Sequence, residues 1–210
     1  METRKFTNND IRKAIHRSQH TQRNWDLDKQ ITAEDLDTII EAATQCPSKQ
    51  GRPFYKTHVI TNRDLIEKIH AGTEGFGLLF TDEGVKAQTN PQTLANVVLV
   101  FERNNETKSH MKHPAGEKHA DLTQRDTDVA IGIAAGYVNL VSSLLGYKTG
   151  CCQCFDPAKM SETIGLEGDT LLIMGVGNGQ EGVNRRVHHK DGSYVFSSKR
   201  KEEMPVTYVA

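Results

Sequence analysis

The chain has 210 residues, 26 Lys and Arg against 27 Asp and Glu, a formal net charge of -1 and a mean hydropathy of -0.57. That length favours one core over two separate domains, and the near-neutral charge offers no broad basic field to a nucleic-acid backbone. No run of about 18 uncharged apolar residues stands out as a bilayer span, and Met1-Glu2-Thr3-Arg4-Lys5 leads into no apolar signal-like stretch. A soluble cytoplasmic protein with four reduced cysteines, and neither a membrane nor a nucleic acid as partner, is the expectation.

In chain order, Asn8-Asn9-Asp10 can cap a helix that runs to about Ser18 with Ile11 and Ile15 on one face. A polar loop over 19–30 follows. Thr32 and Asp35 resemble a capping box, and Leu36, Ile39, Ile40 and Ala43 keep helical spacing to about Gln45, with Pro47 just beyond. Residues 55–61 read as a strand, 62–70 as a short helix capped by Asn62, and 71–93 as a long Gly- and Thr-rich excursion. The continuous run Val97-Val98-Leu99-Val100-Phe101 predicts a central strand covered on both faces. The polar stretch 103–124 reads as a solvated insertion or lid. The longest helix is expected over 126–145. Within it, Ile131-Gly132-Ile133-Ala134-Ala135-Gly136 lets another helix approach closely, with internal packing and a dimer seam weighing about equally. A helix over 156–164 and a buried strand over 171–176 come next, then a polar, basic region with an extended tail from about residue 190. No repeat or low-complexity tract interrupts this order. One domain over 1–210 is expected, with helices and buried strands interleaved around a mixed sheet, α+β or α/β in class.

Three separated segments carry chemistry. Arg185-Arg186 presents planar, permanently charged forks, and Gln19, His20 and Thr21 add donors, a set that suits a dianionic phosphate. Alone, a basic pair after a strand is more often a solvated surface. In Cys46-Pro47-Ser48-Lys49-Gln50-Gly51-Arg52-Pro53-Phe54, two prolines stiffen a loop of polar side chains and reduce the entropy lost on ordering around a ligand, although an ordinary helix-to-strand turn is the bland alternative. Cys46, Cys151, Cys152 and Cys154 invite a thiolate metal site. Small apolar fillers are the favoured reading, and no metal is expected. His188-His189 before Lys190 reads as a solvated basic patch, and Trp25 as a core anchor.

These segments, in this order, resemble the FMN-dependent nitroreductase family over roughly residues 8–190. Gln19-His20-Thr21-Gln22-Arg23-Asn24-Trp25 is similar to the family's Arg-Arg/His-Ser-x-Arg/Lys-x-Phe, with Gln19 where a cation is common and Thr21 for Ser. The Cys46-to-Phe54 loop resembles Ala-Pro-Ser-x-x-Asn-x-Gln-Pro-Trp, one residue shorter and with Gln50 for Asn. Leu145-Gly146 through Phe155-Asp156 is similar to Leu-Gly-(x)n-Phe-Asp, and Cys151-Cys152-Gln153-Cys154 stands where members often carry Pro, Glu and Gly.

The resemblance implies a mixed, mainly antiparallel sheet flanked by helices in an intertwined homodimer. It implies FMN as cofactor, with Gln19, His20 and Thr21 at the phosphate and ribityl chain, Arg185 and Arg186 closing the phosphate site, and Arg23 at the pyrimidine edge. Pro47, Ser48, Lys49 and Gln50 would reach a flavin held mainly by the other subunit. A backbone N–H of Gln153 or Cys154 would face flavin N5, and Asn90 and Gln92 are softer candidates for the ring's polar edge. The implied activity is ping-pong transfer from NAD(P)H through FMN to a nitroaromatic, quinone or similar small acceptor. No side chain need serve as catalytic acid or base, and the nicotinamide cofactor is expected to have no Rossmann site of its own. Reductive dehalogenation, flavin fragmentation and non-catalytic FMN storage are the alternatives.

Overall fold

Thr7, rather than Asn8-Asn9-Asp10, caps the first helix: its hydroxyl accepts from the Asp10 N–H while the Asp10 carboxylate accepts from the Thr7 N–H, a reciprocal capping box. This computed structural model describes residues 5–75, 78–81, 84–109, 121–197 and 201–209. Half of the expected lid over 103–124, residues 110–120, therefore lies outside the described residues. The helices are α1 (Asn8–Ser18), α2 (Ala33–Thr44), α3 (Arg63–Ala71), α4 (Thr123–Leu145) and α5 (Pro157–Ile164). The strands are β1 (Tyr55–Ile60), β2 (Leu78–Thr81), β3 (Gly84–Ala87), β4 (Val97–Arg103), β5 (Lys148–Cys152) and β6 (Thr170–Gly177).

The main sheet runs β1-β4-β6-β5 with every pairing antiparallel, so the class is α+β and the sheet is not mixed among the described strands. The 71–93 excursion contains the β2–β3 hairpin and a 3₁₀ turn at Pro91–Thr93. β4 occupies the interior, as its apolar run requires. Leu99 and Phe101 face one core with α2 and α4, built on Ile39, Ala43, Ala134 and Val138. Val98 and Val100 face a second core with Ile66 and Ile69 of α3 and Met160 of α5. Gly177, Gly179 and Gly182 have Gly-x-Gly-x-x-Gly spacing, but turns rather than a helix follow β6, so the dinucleotide-binding context is absent there.

Two features place the site. Gly150 of β5 and Gly175 of β6 are register partners, and a Cβ at Gly175 would stand 2.0 Å from the Gln92 carbonyl oxygen. Only glycine there lets the Asn90–Thr93 turn lie directly on the sheet. The second feature is α4, which at mean hydropathy 1.5 is long and apolar enough to cross a membrane, contrary to the expectation that no such segment stands out. Here it is a core helix. Ala130, Ile131, Ala134 and Val138 are buried, and α1 is tied to it where Arg17 Nη2 donates to the Ser143 carbonyl at 3.1 Å. Its opposite face is open, since nothing lies within 4 Å of a Cβ built at Gly132 or Gly136. Internal packing therefore does not account for these glycines.

Candidate functional site

The backbone of residues 22–26 is stitched between β5 and the chain that follows β6. The N–H of Gln22 donates to the Thr149 carbonyl at 2.9 Å, that of Arg23 to the Arg185 carbonyl at 3.0 Å, and that of Asp26 to the Asn178 carbonyl at 2.8 Å. This brings together two segments about 160 residues apart in sequence and carries four side chains of the expected phosphate set, Gln19, His20, Thr21 and Arg185, to two adjoining cavities. His20 and Arg185 line a cavity of about 450 Å³ with Arg17, Gln22 and Lys148. Arg185 Nη1 also donates to the Thr21 carbonyl at 3.1 Å, which fixes its fork beside the loop. Gln19, His20 and Thr21 line an adjoining space of about 220 Å³ with Asn139, Thr149 and Cys151. Cys151 also borders a third, of about 390 Å³, with Gln153, Gly132 and Ala135. Shared walls at His20 and Cys151 set these three spaces side by side as an interrupted groove across β5, cationic at one end and flanked by α4 at the other.

Electrostatics at the cationic end are unbalanced. Among the described residues no carboxylate pairs with Arg23, Arg185 or Arg186. Arg23 lies against the ring of Phe196, 4.6 Å from its centroid, and its buried Nε has no hydrogen-bond partner. Burial first, then the neighbouring Arg185, lowers the pKa of both Arg23 and His20. Partly desolvated like charges without an anion are costly, and a phosphate or an electron-rich ring edge would offset them. Arg23 pairs with neither of the nearby acids of its own loop, Asp26 and Asp28; Asp26 pairs with Lys29 at 3.0 Å. Arg186 diverges from Arg185: its Nη1 donates to the Phe196 carbonyl at 3.4 Å, on the hairpin side rather than in the cavity.

Along the groove, Gln92 is buried with Nε2 donating to the Cys151 carbonyl at 3.3 Å, and its Oε1 is a buried acceptor without a partner. It suits a ligand donor. Asn90 does not: its N–H donates to Thr73 and its Nδ2 to the Glu74 carbonyl at 2.7 Å, so its polar atoms serve the fold. The β5–β6 ladder ends at Cys152–Ile173, one residue before Gln153, whose exposed side chain donates to the Leu171 carbonyl. The Cys154 N–H hydrogen bonds to the Cys152 sulfur, which leaves Gln153 as the better backbone candidate. Strand alternation sends Cys151 to the α4 side and Cys152 to the opposite core, where burial pushes its thiol up to about 12. The three sulfurs therefore do not converge.

The Pro47 loop lies elsewhere. Lys49 Nζ is 2.6 Å from the Asp126 carboxylate and 2.9 Å from the Ser109 hydroxyl, so this expected ligand is held by an ion pair at the start of α4. Ser48 Oγ donates to the Arg52 carbonyl at 2.8 Å, and Gln50 adopts a left-handed φ of 56°. Pro47 and Ser48 border a separate cavity of about 480 Å³ with Arg52 and Tyr55. Asp126 and Ser143, which anchor the loop and α1 respectively, are about 25 Å apart along the helix. Asp128, two residues past the Lys49 partner, lines the third space, so the loop's anchor is remote from the cationic end of the groove and near its α4 end.

His188 and His189 are not a solvated patch. His188 Nδ1 accepts from the Lys190 and Asp191 N–H groups, its ring stacks on Phe196 at 5.9 Å, and His189 Nδ1 accepts from the Trp25 N–H at 3.1 Å. Val187 and Val195 form a bridge, so the extended tail begins only after this hairpin. Trp25 is fully buried and donates to the Pro91 carbonyl, as a core anchor should. Sequence reasoning missed Arg17 and Asn139 in the groove. Arg17 was accessible to it, lying two residues before Gln19 at the end of a basic helix turn.

The Nitroreductase family profile matches residues 17–178. A Staphylococcus epidermidis protein bearing the name NAD(P)H nitroreductase is 26% identical over 177 residues, 71% of this chain and 76% of that one. A Bacteroides fragilis nitroreductase solved with bound FMN superposes with TM-score 0.64 at 16% identity, covering 97% of this chain and 100% of that one. A Desulfovibrio desulfuricans nitroreductase in complex with FMN gives 0.63 at 15% identity, covering 95% and 100%. With more than half of its length matched by the family profile, and with the fold and groove described above, this chain belongs to the nitroreductase family.

Proposed function

We propose that the protein binds FMN along this groove and carries reducing equivalents from NAD(P)H to a small acceptor, such as a nitroaromatic or a quinone, in a ping-pong sequence. The observation that carries the reading is Arg185 beside His20 in a cavity with an excess of cations over its one carboxylate, Glu181, adjoining two further spaces along β5, with the buried Arg23 Nε nearby still without a partner. Bound FMN would supply the two-electron chemistry. Arg185 and His20 would hold its phosphate, Gln19 and Thr21 the polyol, and Arg23 and Gln92 Oε1 the polar edge of the ring. A guanidinium at that edge favours the anionic reduced state. Gln153, at the end of β5, would border the reacting face.

The reading includes a homodimer. The Pro47 loop borders a cavity of its own rather than the cationic end of the groove, and the open α4 face exposes Val129 and Tyr137 beside Gly132 and Gly136. A second copy packed there would cover an apolar surface and bring a Pro47 loop to each flavin. Titration of flavin-free protein with FMN and with riboflavin tests the site. FMN should bind more tightly because of its phosphate; equal affinities would remove His20 and Arg185 from the phosphate, and no binding of either would end the reading.

A further inference from the structure

Phe196 lies outside the part of the chain that the family profile covers, in a polar, basic stretch where one buried aromatic ring needs an explanation. The residues around it supply one. Its N–H donates to the Arg186 carbonyl at 2.9 Å and its carbonyl accepts from Arg186 Nη1, so the ring is fixed to the same dipeptide that carries Arg185. Tyr194 meets it edge-on at 4.9 Å and His188 stacks on it at 5.9 Å. His188 is fixed in turn by the Lys190 and Asp191 N–H groups, by Thr89 at 3.3 Å, and by His70, whose ring lies 6.0 Å away. The hairpin thus ends in a rigid aromatic platform, and the guanidinium of Arg23 rests on it.

We propose that Phe196 is a positioning residue for Arg23: the hairpin that closes at Val187 and Val195 holds the Arg23 guanidinium by a cation–π contact at the ring edge of the flavin. Arg23 lacks a carboxylate that would orient it, and like-charged Arg185 and Arg186 lie nearby. A hydrophobic face that attracts a cation without neutralising it meets both conditions. A carboxylate in that place would cancel the charge that a reduced flavin requires. The inference rests on the flavin reading of the groove.

The test is a double-mutant cycle between Arg23→Gln and Phe196→Leu, with Phe196→Tyr as the conservative variant that keeps a ring. FMN affinity and the flavin's two-electron midpoint potential are measured on each flavin-loaded protein, and the melting temperature on each flavin-free one. Phe196→Leu should weaken FMN about 2- to 30-fold, the span of a cation–π contact, and lower the potential. Phe196→Tyr should restore both. In the Arg23→Gln background Phe196→Leu should add nothing to either. A Phe196→Leu protein that melts lower yet keeps wild-type affinity and potential would reduce Phe196 to a packing residue, and additive effects in the cycle would likewise overturn the proposal. Wild-type protein that binds no FMN would remove the flavin reading itself, whereas normal FMN binding with an additive cycle removes only the role of Phe196.

Discussion

Arg185 and Arg186 are adjacent in sequence and separate in role, and this splits the basic pair into two measurable parts. Arg185 shares a cavity with His20, whereas Arg186 is spent on the Phe196 carbonyl. Arg185→Ala should therefore weaken FMN about 10- to 100-fold, the worth of a charge-assisted hydrogen bond, and Arg186→Ala should weaken it less. Calorimetric titration of both variants checks the order. Lys49 gives a second residue-scale prediction. Hydrogen bonds from Lys49 first and Ser109 second lower the Asp126 carboxyl from 3.8 to about 2 in the folded protein. A depressed carboxyl pKa adds stability that is present above pH 3.8 and lost as pH falls toward 2. The melting temperature of wild type should fall more steeply across that window than that of Lys49→Met, which has less of the interaction to lose. Parallel slopes would mean that the pair contributes nothing. Neither role was legible beforehand. Lys49 and Asp126 lie 77 positions apart, and Asn90 is drawn from the ligand set by Thr73 and Glu74 through contacts that no local spacing encodes.

At the scale of elements, legibility followed the range of the interactions that define each one. α2, α3 and α5 were readable because Thr32, Asn62 and Asp156 cap them through hydrogen bonds to backbone three residues on. β5 was not. Lys148-Thr149-Gly150-Cys151-Cys152 resembles a loop, because Gly150 is there for the approach of Gln92 rather than for strand propensity. The Val187–Val195 hairpin was misread for a similar reason, since its basic residues look solvated until Trp25, His70 and Phe196 are seen around them. Its histidines make it sensitive to acid. Burial first, with Lys190 and His188 nearby, lowers His70 from 6.5 to about 4, and His188 and His189 shift the same way. Each is kept neutral when folded and protonates when unfolded, so stability is lost as pH falls from 6.5 toward 4. For His70 this is of order 3 kcal/mol. His70→Phe should flatten the dependence of melting temperature on pH in that window, and an unchanged slope would mean that the ring is already accessible to protons.

At the scale of the whole molecule, the proposed dimer makes this chain half of a functional unit. The groove end near Arg185 was expected from Gln19, His20, Thr21 and the arginine pair; Gln19, His20, Thr21 and Arg185 line adjoining spaces of one chain, and Arg186 turns away to the hairpin. The Pro47 loop was expected to serve a partner's flavin, and in its own chain it is anchored at Asp126, about 25 Å along α4 from Ser143. Gly136→Glu tests the seam. Nothing lies within 4 Å of the new Cβ, so the helix should form at least as well, yet a buried carboxylate would oppose the second copy. Sedimentation should show a dimer for wild type and a monomer with native circular dichroism for the variant; a wild-type monomer carrying stoichiometric FMN would refute the shared site. The central claim is that this groove holds a flavin that turns over. Its most direct measurement is the absorbance of the FMN-loaded protein during anaerobic addition of NADPH and then NADH. The account predicts that at least one nicotinamide bleaches the yellow colour and that a quinone restores it. Persistent colour with both donors would contradict it and leave a protein that binds FMN without using it.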